Sequence, residues 1–504
     1  MITVTLNRTE FEYDIHSLLK AFFPKEDVEI YYTKEAQAEG KNVACTNHSI
    51  EKRDAENHFE IQYEDTFITI AWEDAPEGPV RSTFAVDFSD RISTKNALKE
   101  KLYELLSQET GRKLPWGTLT GIRPTKIPMK LLKEGKSHGE IASYMKQTYL
   151  ASDEKIKLAT EIAERERALL SRIDYENGYS LYVGIPFCPS TCLYCSFTSY
   201  PLASWKGKVD TYLDALEKEL DYVAETFAGK TLNSVYIGGG TPTTLEPCQL
   251  DRLIGKIRER FDLSHCLEFT VEAGRPDSIT EEKLTALRDN GISRISINPQ
   301  TMKQETLDII GRHHTVAQTI ESFALARQLG FDNINMDLIM GLPEEDLEDV
   351  RHTMEELTKL DPDNITIHSL AIKRAARLNI YKDRYEKMQM VNTKEHMDLC
   401  ASYCSRMRLS PYYLYRQKGM AGNMENVGYA KPGKAGVYNI LIMEEVQTIV
   451  ACGAGSSTKR VWTTPNPDGT HRIERCENVK DVQQYIDRID EMIARKRKLF
   501  AERD

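Results

Sequence analysis

The sequence predicts an α/β fold: a partial (β/α)6 barrel, with an N-terminal α+β domain before it and a C-terminal mixed, partly helical extension after it. Two observations carry this. Six short β-rich runs recur between residues 181 and 370, separated by amphipathic stretches of about 10 to 20 residues. The flanking regions lack that rhythm. Repeated βα units pair in parallel through right-handed crossovers, which leaves a doubly wound sheet or a full or partial barrel, and six units favour the partial barrel.

Residues 1–150 form the expected N-terminal α+β domain, with an alternating strand pattern at the start, strands at 59–63 and 66–70, and a helix near 97–106. A helical linker is expected over 151–180, carried by a charged helix at about 152–173. The barrel, 181–370, has its strands at 181–185, 234–237, 268–272, 294–297, 335–339 and 364–368. Residues 371–504 are expected to form a domain covering the substrate. This last part opens with an Arg-rich segment and carries an aromatic run at 411–416. It closes with an amphipathic helix at about 479–499, whose Val482, Tyr485, Ile486, Ile489 and Ile493 share one side and point to packing.

With 504 residues, 40% of them hydrophobic, the chain has apolar material for two or three domains. A formal net charge of -11 argues against general attraction to nucleic acid or to an anionic bilayer, so anionic ligands must meet local cations. The start of the chain lacks the basic, then apolar, pattern of a signal peptide, and no run of about 18 apolar residues occurs, so no membrane span and a cytoplasmic location are expected. Ten cysteines are too sparse for a disulfide framework, and three of them crowd into eight residues, which suggests metal chemistry in a reducing compartment.

Those three, Cys188, Cys192 and Cys195, form a C-x3-C-x2-C loop directly after the first barrel strand. Three thiolates on a tight loop can hold three corners of a [4Fe-4S] cubane and leave one iron without a protein ligand. Zinc is the alternative, but structural zinc prefers four closed ligands, and Cys248, Cys266 and His265 belong to other units. Gly238, Gly239, Gly240 and Thr241 follow the second strand, either as a tight turn or as backbone pressed against a ligand's polar end. Glu272, Gln300, Asp337 and His368 recur at or near the ends of later strands, where barrel active sites are built, although any one of them alone could be a satisfied core residue. Arg312 could grip a carboxylate. For His313 and His314 a surface or capping role is expected, and for Cys400 and Cys404 core packing rather than a second metal or redox pair.

These residues resemble a known family. Ile185-Pro186-Phe187-Cys188, Tyr194-Cys195, the 238–243 glycine run, Glu272, Ser296, Gln300, Gly311-Arg312 and 337–343 are similar to the oxygen-independent coproporphyrinogen III oxidase family of radical S-adenosylmethionine enzymes. The flanking regions look like its oxidase-like HemZ branch. The resemblance implies that Cys188, Cys192 and Cys195 ligate the cluster. It further implies that Tyr194, Gly239, Gly240, Thr241, Glu272, Gln300, Arg312 and Asp337 bind S-adenosylmethionine, with Tyr182 and Glu272 at the reacting centre.

The implied reaction is anaerobic oxidative decarboxylation of two propionates of coproporphyrinogen III to vinyl groups, in porphyrin and heme biosynthesis. An electron donor such as flavodoxin or ferredoxin is the implied partner, and the oligomeric state stays open. A tetracarboxylate needs fixed cations. Arg123, Lys126, Lys373, Arg374, Arg377 and Arg416 are the candidates, with Tyr182 a further substrate contact. One departure stands out: a fourth cysteine expected two residues after the triad is Phe197, as in the heme-chaperone branch. A heme-binding chaperone, or a radical enzyme that degrades heme or transfers methyl groups, is therefore the rival expectation.

Overall fold

The structure, a computed structural model, describes residues 1–24, 26–33, 57–121, 123–373, 375–381, 385, 388–417, 420, 424–466 and 470–502. It divides into two compact units, Met1–Thr160 and Glu161–Asp504. One helix, Asp153–Leu170, runs through the division.

In the first unit, strands β1 (Ile2–Leu6), β2 (Val28–Tyr32), β3 (Asn57–Tyr63), β4 (Phe67–Trp72) and β5 (Val80–Ala85) form a sheet in the order β2-β1-β3-β4-β5. The helix Arg91–Thr110 buries Leu98, Leu102 and Leu106, spaced four apart so that one stripe meets the core. It starts at Asp90, whose carboxylate accepts from the Ile92 and Ser93 amides and satisfies donors that the helix leaves unpaired.

The second unit is built on strands β6 (Gly178–Ile185), β7 (Phe187–Cys188), β8 (Tyr200–Pro201), β9 (Thr231–Gly239), β10 (Glu268–Glu272), β11 (Arg294–Ser296), β12 (Ile334–Met340) and β13 (Asn364–Ser369). All six expected barrel strands form, as β6 and β9 to β13. They lie side by side in chain order and every pairing among them is parallel. The order never reverses, so there is no switch point of the doubly wound kind. Same-handed crossovers then place every helix on one face, which curls the sheet into a partial barrel. β6 is buried along nearly its whole length, as a strand covered on both faces must be.

A partial barrel leaves two open edges, and an open edge exposes unpaired amides and carbonyls. The segment beyond 371 covers both. On one side β14 (Ser410–Tyr415) and β15 (Asn426–Ala430) join antiparallel to β13; on the other β16 (Thr448–Cys452) pairs parallel with β6, followed by β17 (Ser457–Pro465) and β18 (His471–Glu477). These strands extend the barrel sheet to 11 strands rather than forming a separate layer.

Two local expectations change. The closing helix is two, Val482–Asp487 and Ile489–Ala501, broken at Arg488 where the backbone leaves helical angles (φ -118, ψ 27). The break lets Tyr485 from one piece and Met492 and Lys496 from the other all bury. His314 is fully buried rather than on the surface, while His313 is exposed. Burial beside Arg312 brings the His314 imidazole down to about 3, so it stays neutral. Cys400 and Cys404 are both fully buried, and Cys400 packs its sulfur 3.6 Å from that of Met340.

Candidate active site

A cavity of about 460 Å³ opens at the C-terminal ends of the barrel strands, within the range of small-molecule sites. The cysteine loop forms one wall. β7 pairs with β8, so Cys188 sits in a two-stranded bracket, and the Leu193 amide donates to the Ile310 carbonyl at 2.9 Å, fastening the loop to the far side of the barrel. Cys188, Cys192 and Cys195 all line the cavity. Burial pushes the Cys188 thiol up to about 11 and raises that of Cys195, so both are neutral thiols until a cation draws off the proton.

The glycine run lies against this loop. The Gly240 amide donates to the Ile185 carbonyl and the Thr241 amide to the Phe187 carbonyl, both at 2.7 Å. A Cβ on Gly240 would stand 2.6 Å from the Phe187 oxygen and 2.9 Å from the Cys188 sulfur, so only glycine permits this approach. Two donors reach the sulfurs: the Thr241 hydroxyl lies 3.5 Å from Cys188 Sγ, and Arg275 Nη1 3.7 Å from Cys192 Sγ. Soft thiols on one wall, with donors aimed at their sulfurs, fit a thiolate-held iron–sulfur cluster.

The polar strand ends complete the ring. Tyr182, Tyr194, Gly239, Gly240 and Thr241 line the cavity, and so do Glu272, Gln300, Arg312 and Asp337. The Tyr236 hydroxyl donates to Glu272 Oε1. Burial raises Glu272 to about 7, with the Asp337 charge adding; the Tyr236 hydrogen bond and the Arg294 and His368 charges pull the other way. Asp337 behaves oppositely. Burial would raise it, but His368, whose Nε2 is 3.7 Å from Oδ2, together with Asn335 and Thr366, holds it below the usual carboxylate range.

Gln300 adopts φ 70, a costly backbone for glutamine, held by its amide donating to the Asp337 carbonyl at 2.9 Å and its carbonyl accepting from the Ile339 amide at 3.0 Å. Its buried Oε1 has no protein partner. Arg312 is anchored by the protein itself through its two Nη atoms, while its buried Nε has no protein partner. Its Nη2 donates to the Gly274 and Asn298 carbonyls, both at 2.8 Å, and its Nη1 to the Tyr194 hydroxyl at 3.2 Å, so it ties three segments of the mouth together.

The substrate-binding candidates scatter. Arg123 belongs to the first unit. Arg374 lies outside the described residues. Arg377 opens the short helix Arg377–Ile380, is exposed and does not line the cavity. Arg416 is buried beside Glu425, also off the cavity, and burial lowers it to about 10. Lys373 does line the mouth, with its ammonium 5.8 Å from the centre of the exposed Phe197 ring. Sequence reasoning missed Arg275, Tyr236 and Arg294. Arg294 is buried within the barrel, lines the cavity, and has two nitrogens without partners. A charged residue opening a short buried strand was the available signal.

The Radical SAM superfamily model matches residues 182–357. The oxygen-independent coproporphyrinogen-III oxidase-like protein HemZ of Bacillus subtilis (strain 168) is 41% identical over 414 residues, spanning 81% of this chain and 82% of that protein. The chain belongs to the radical SAM family of HemZ, HemN and HemW. Heme chaperone HemW of Bacillus subtilis is 31% identical over 314 residues, 62% of this chain and 76% of HemW. Among solved structures, the coproporphyrinogen III oxidase HemN of Escherichia coli aligns with a TM-score of 0.50 and 24% identity over 65% of this chain and 73% of HemN, which shows a shared fold. Radical SAM proteins use a [4Fe-4S] cluster and S-adenosylmethionine. Among the described residues no helix is long and apolar enough to cross a membrane.

Proposed function

We propose that this protein is a radical S-adenosylmethionine oxidoreductase that decarboxylates propionates of coproporphyrinogen III to vinyl groups without oxygen, yielding protoporphyrinogen IX. The observation that carries the reading is the single cavity in which the three-cysteine loop faces Glu272, Gln300 and Asp337. Its alignment with HemZ over most of both chains supports the oxidase branch. When bound, the cluster and S-adenosylmethionine supply a carbon radical able to take a hydrogen atom from a substrate carbon.

The chain's own residues prepare that site. Cys188, Cys192 and Cys195 hold the cluster, while Gly239, Gly240 and Thr241 press backbone against the methionyl end of the cosubstrate. A cationic amino group brought against Glu272 restores its ionised form, because an opposite charge offsets the burial that keeps it at about 7. Asp337, kept ionised, and the unpartnered Gln300 Oε1 accept hydrogen bonds. Tyr182 stacks with Tyr236 and Tyr438, 6.2 and 6.3 Å between ring centres, and closes the floor. At the rim, Phe197 and Lys373 offer an apolar face and a cation to a flat, carboxylated macrocycle. The electron donor is a small flavin or iron–sulfur protein, a one-electron acceptor takes the electron released as carbon dioxide leaves, and the setting is the cytoplasm.

The second reading, a heme-trafficking chaperone, is favoured by Phe197 in place of a fourth cysteine and by the match to HemW. One anaerobic assay separates them. Reconstituted protein with reductant, S-adenosylmethionine and coproporphyrinogen III is expected to form 5′-deoxyadenosine together with two successive losses of carbon dioxide and two hydrogens. Unchanged tetrapyrrole together with stable heme binding selects the chaperone.

A further inference from the structure

Behind the cysteine loop, away from the cavity, lies a buried polar cluster that the proposed chemistry does not use. Glu219, in the helix Val209–Thr226, and Lys496, in Ile489–Ala501, are 2.6 Å apart and both fully buried. Glu219 also accepts from the Tyr485 hydroxyl at 2.6 Å, from Asn478 Nδ2 at 2.8 Å and from the Gly453 amide at 2.8 Å. Every one of these partners except Gly453 comes from the last 27 residues of the chain, reading from Asn478 to Asp504. The cluster thus converts the docking of the C-terminal helices into a fixed position for the turn after β16.

One hydroxyl joins that turn to the end of β6, from which the cysteine loop departs. Tyr212, fully buried in the same helix as Glu219, donates to the Gly184 carbonyl at 2.6 Å and accepts from the Ala454 amide at 3.1 Å. Gly184 precedes Ile185-Pro186-Phe187-Cys188, and the Phe187 ring meets the Tyr212 ring edge-on with centres 5.3 Å apart. The turn also fits too closely for side chains. A Cβ on Gly453, at φ +103, would collide with the Gly184 oxygen, and one on Gly455 with the Thr198 hydroxyl, three residues past Cys195. Both ends of the cysteine loop are therefore braced by one turn.

We infer that Tyr212 is a positioning residue for the cysteine loop, set in place by the buried Glu219–Lys496 pair, so that docking of the C-terminal helices holds the loop ready for its cluster. The inference rests on the reading of Cys188, Cys192 and Cys195 as cluster ligands. In Tyr212→Phe the ring packing stays and the Gly184 carbonyl and Ala454 amide lose their shared partner. Each buried hydrogen bond lost raises local opening by about tenfold, and this variant loses two.

The test is the alkylation rate of individual cysteines in cluster-free protein, read by peptide mass spectrometry, for wild type, Tyr212→Phe and Gly453→Ala. Cys188 and Cys192 are expected to react at least about tenfold faster in Tyr212→Phe, which loses two buried hydrogen bonds, and faster than wild type in Gly453→Ala, whose Cβ pushes the turn off Gly184. Cys400 and Cys404, fully buried elsewhere in the same unit, are expected to keep their wild-type rates. Equal rates at Cys188 and Cys192 overturn the inference, and so does a parallel rise at all four, which signals general destabilisation. Iron and sulfide content of reconstituted wild type checks the cluster reading separately: no cluster in wild type defeats that reading whatever the alkylation rates show.

Discussion

Glutamine in place of Glu272 isolates the charge of one buried carboxylate. Glu272 moves from an ordinary 4.5 to about 7 on folding, chiefly because the folded chain withdraws it from water. A raised acid favours folding in its protonated form. Its contribution is complete below about pH 4.5 and is lost as pH climbs towards and through 7. The shift of about 2.5 units corresponds to ~3 kcal/mol of cost at pH 8, an upper figure given the partial access of the cavity to water. Glutamine keeps an acceptor for the Tyr236 hydroxyl and carries no charge, so it escapes that cost.

Cluster-free Glu272→Gln is therefore expected to unfold at a higher temperature than wild type at pH 8, by several degrees if about 2 kcal/mol is recovered, with the gap closing towards pH 5. The same variant is expected to bind S-adenosylmethionine about tenfold or more weakly at pH 8, because the ammonium loses its counter-charge. Thermal scans at two pH values and calorimetric titration measure both. A stability gap that does not change between pH 5 and 8 refutes the burial argument, and undiminished binding refutes the role given to the carboxylate.

Three further outcomes follow from the same geometry. Cys192→Ser is expected to abolish the visible absorption of a reconstituted iron–sulfur cluster while the far-ultraviolet spectrum stays native, since a hydroxyl is a poor iron ligand and the loop is otherwise fastened by backbone bonds. Gly240→Ala is expected to lower iron retention under chelator, with a stability loss of about 1–3 kcal/mol, because its Cβ would press on the Phe187 carbonyl and the Cys188 sulfur. Lys496→Met leaves Glu219 buried without its cation and is expected to cost about 3–5 kcal/mol in urea unfolding; adding Glu219→Gln, which keeps an acceptor for the Gly453 amide, is expected to recover much of it.

Much of this protein was legible in the residue order alone. The period of the apolar runs was enough to locate β6 and β9 to β13, because a strand buried on both faces leaves a short, dense apolar signature that neighbouring sequence does not blur. The cysteine loop and the glycine run were legible for a related reason: their spacing is local chemistry, and each follows directly on a strand end. What the residues could not reveal by themselves was every pairing made across long sequence separation. The cover of both barrel edges by the C-terminal segment, the anchoring of Arg312 by two carbonyls and a tyrosine, and the burial of His314 all depend on neighbours far along the chain. So does the choice among cations. Arg377 and Arg416 look alike as letters, yet one is exposed and the other is buried beside Glu425, while Lys373 lines the mouth. The sequence by itself determined the barrel strands and the cofactors of the family, since ligand types and strand periods are written in adjacent residues. Only the tertiary structure decided which charges face the cavity and what braces the loop, because burial and the partners of a polar group are properties of packing and not of the residue.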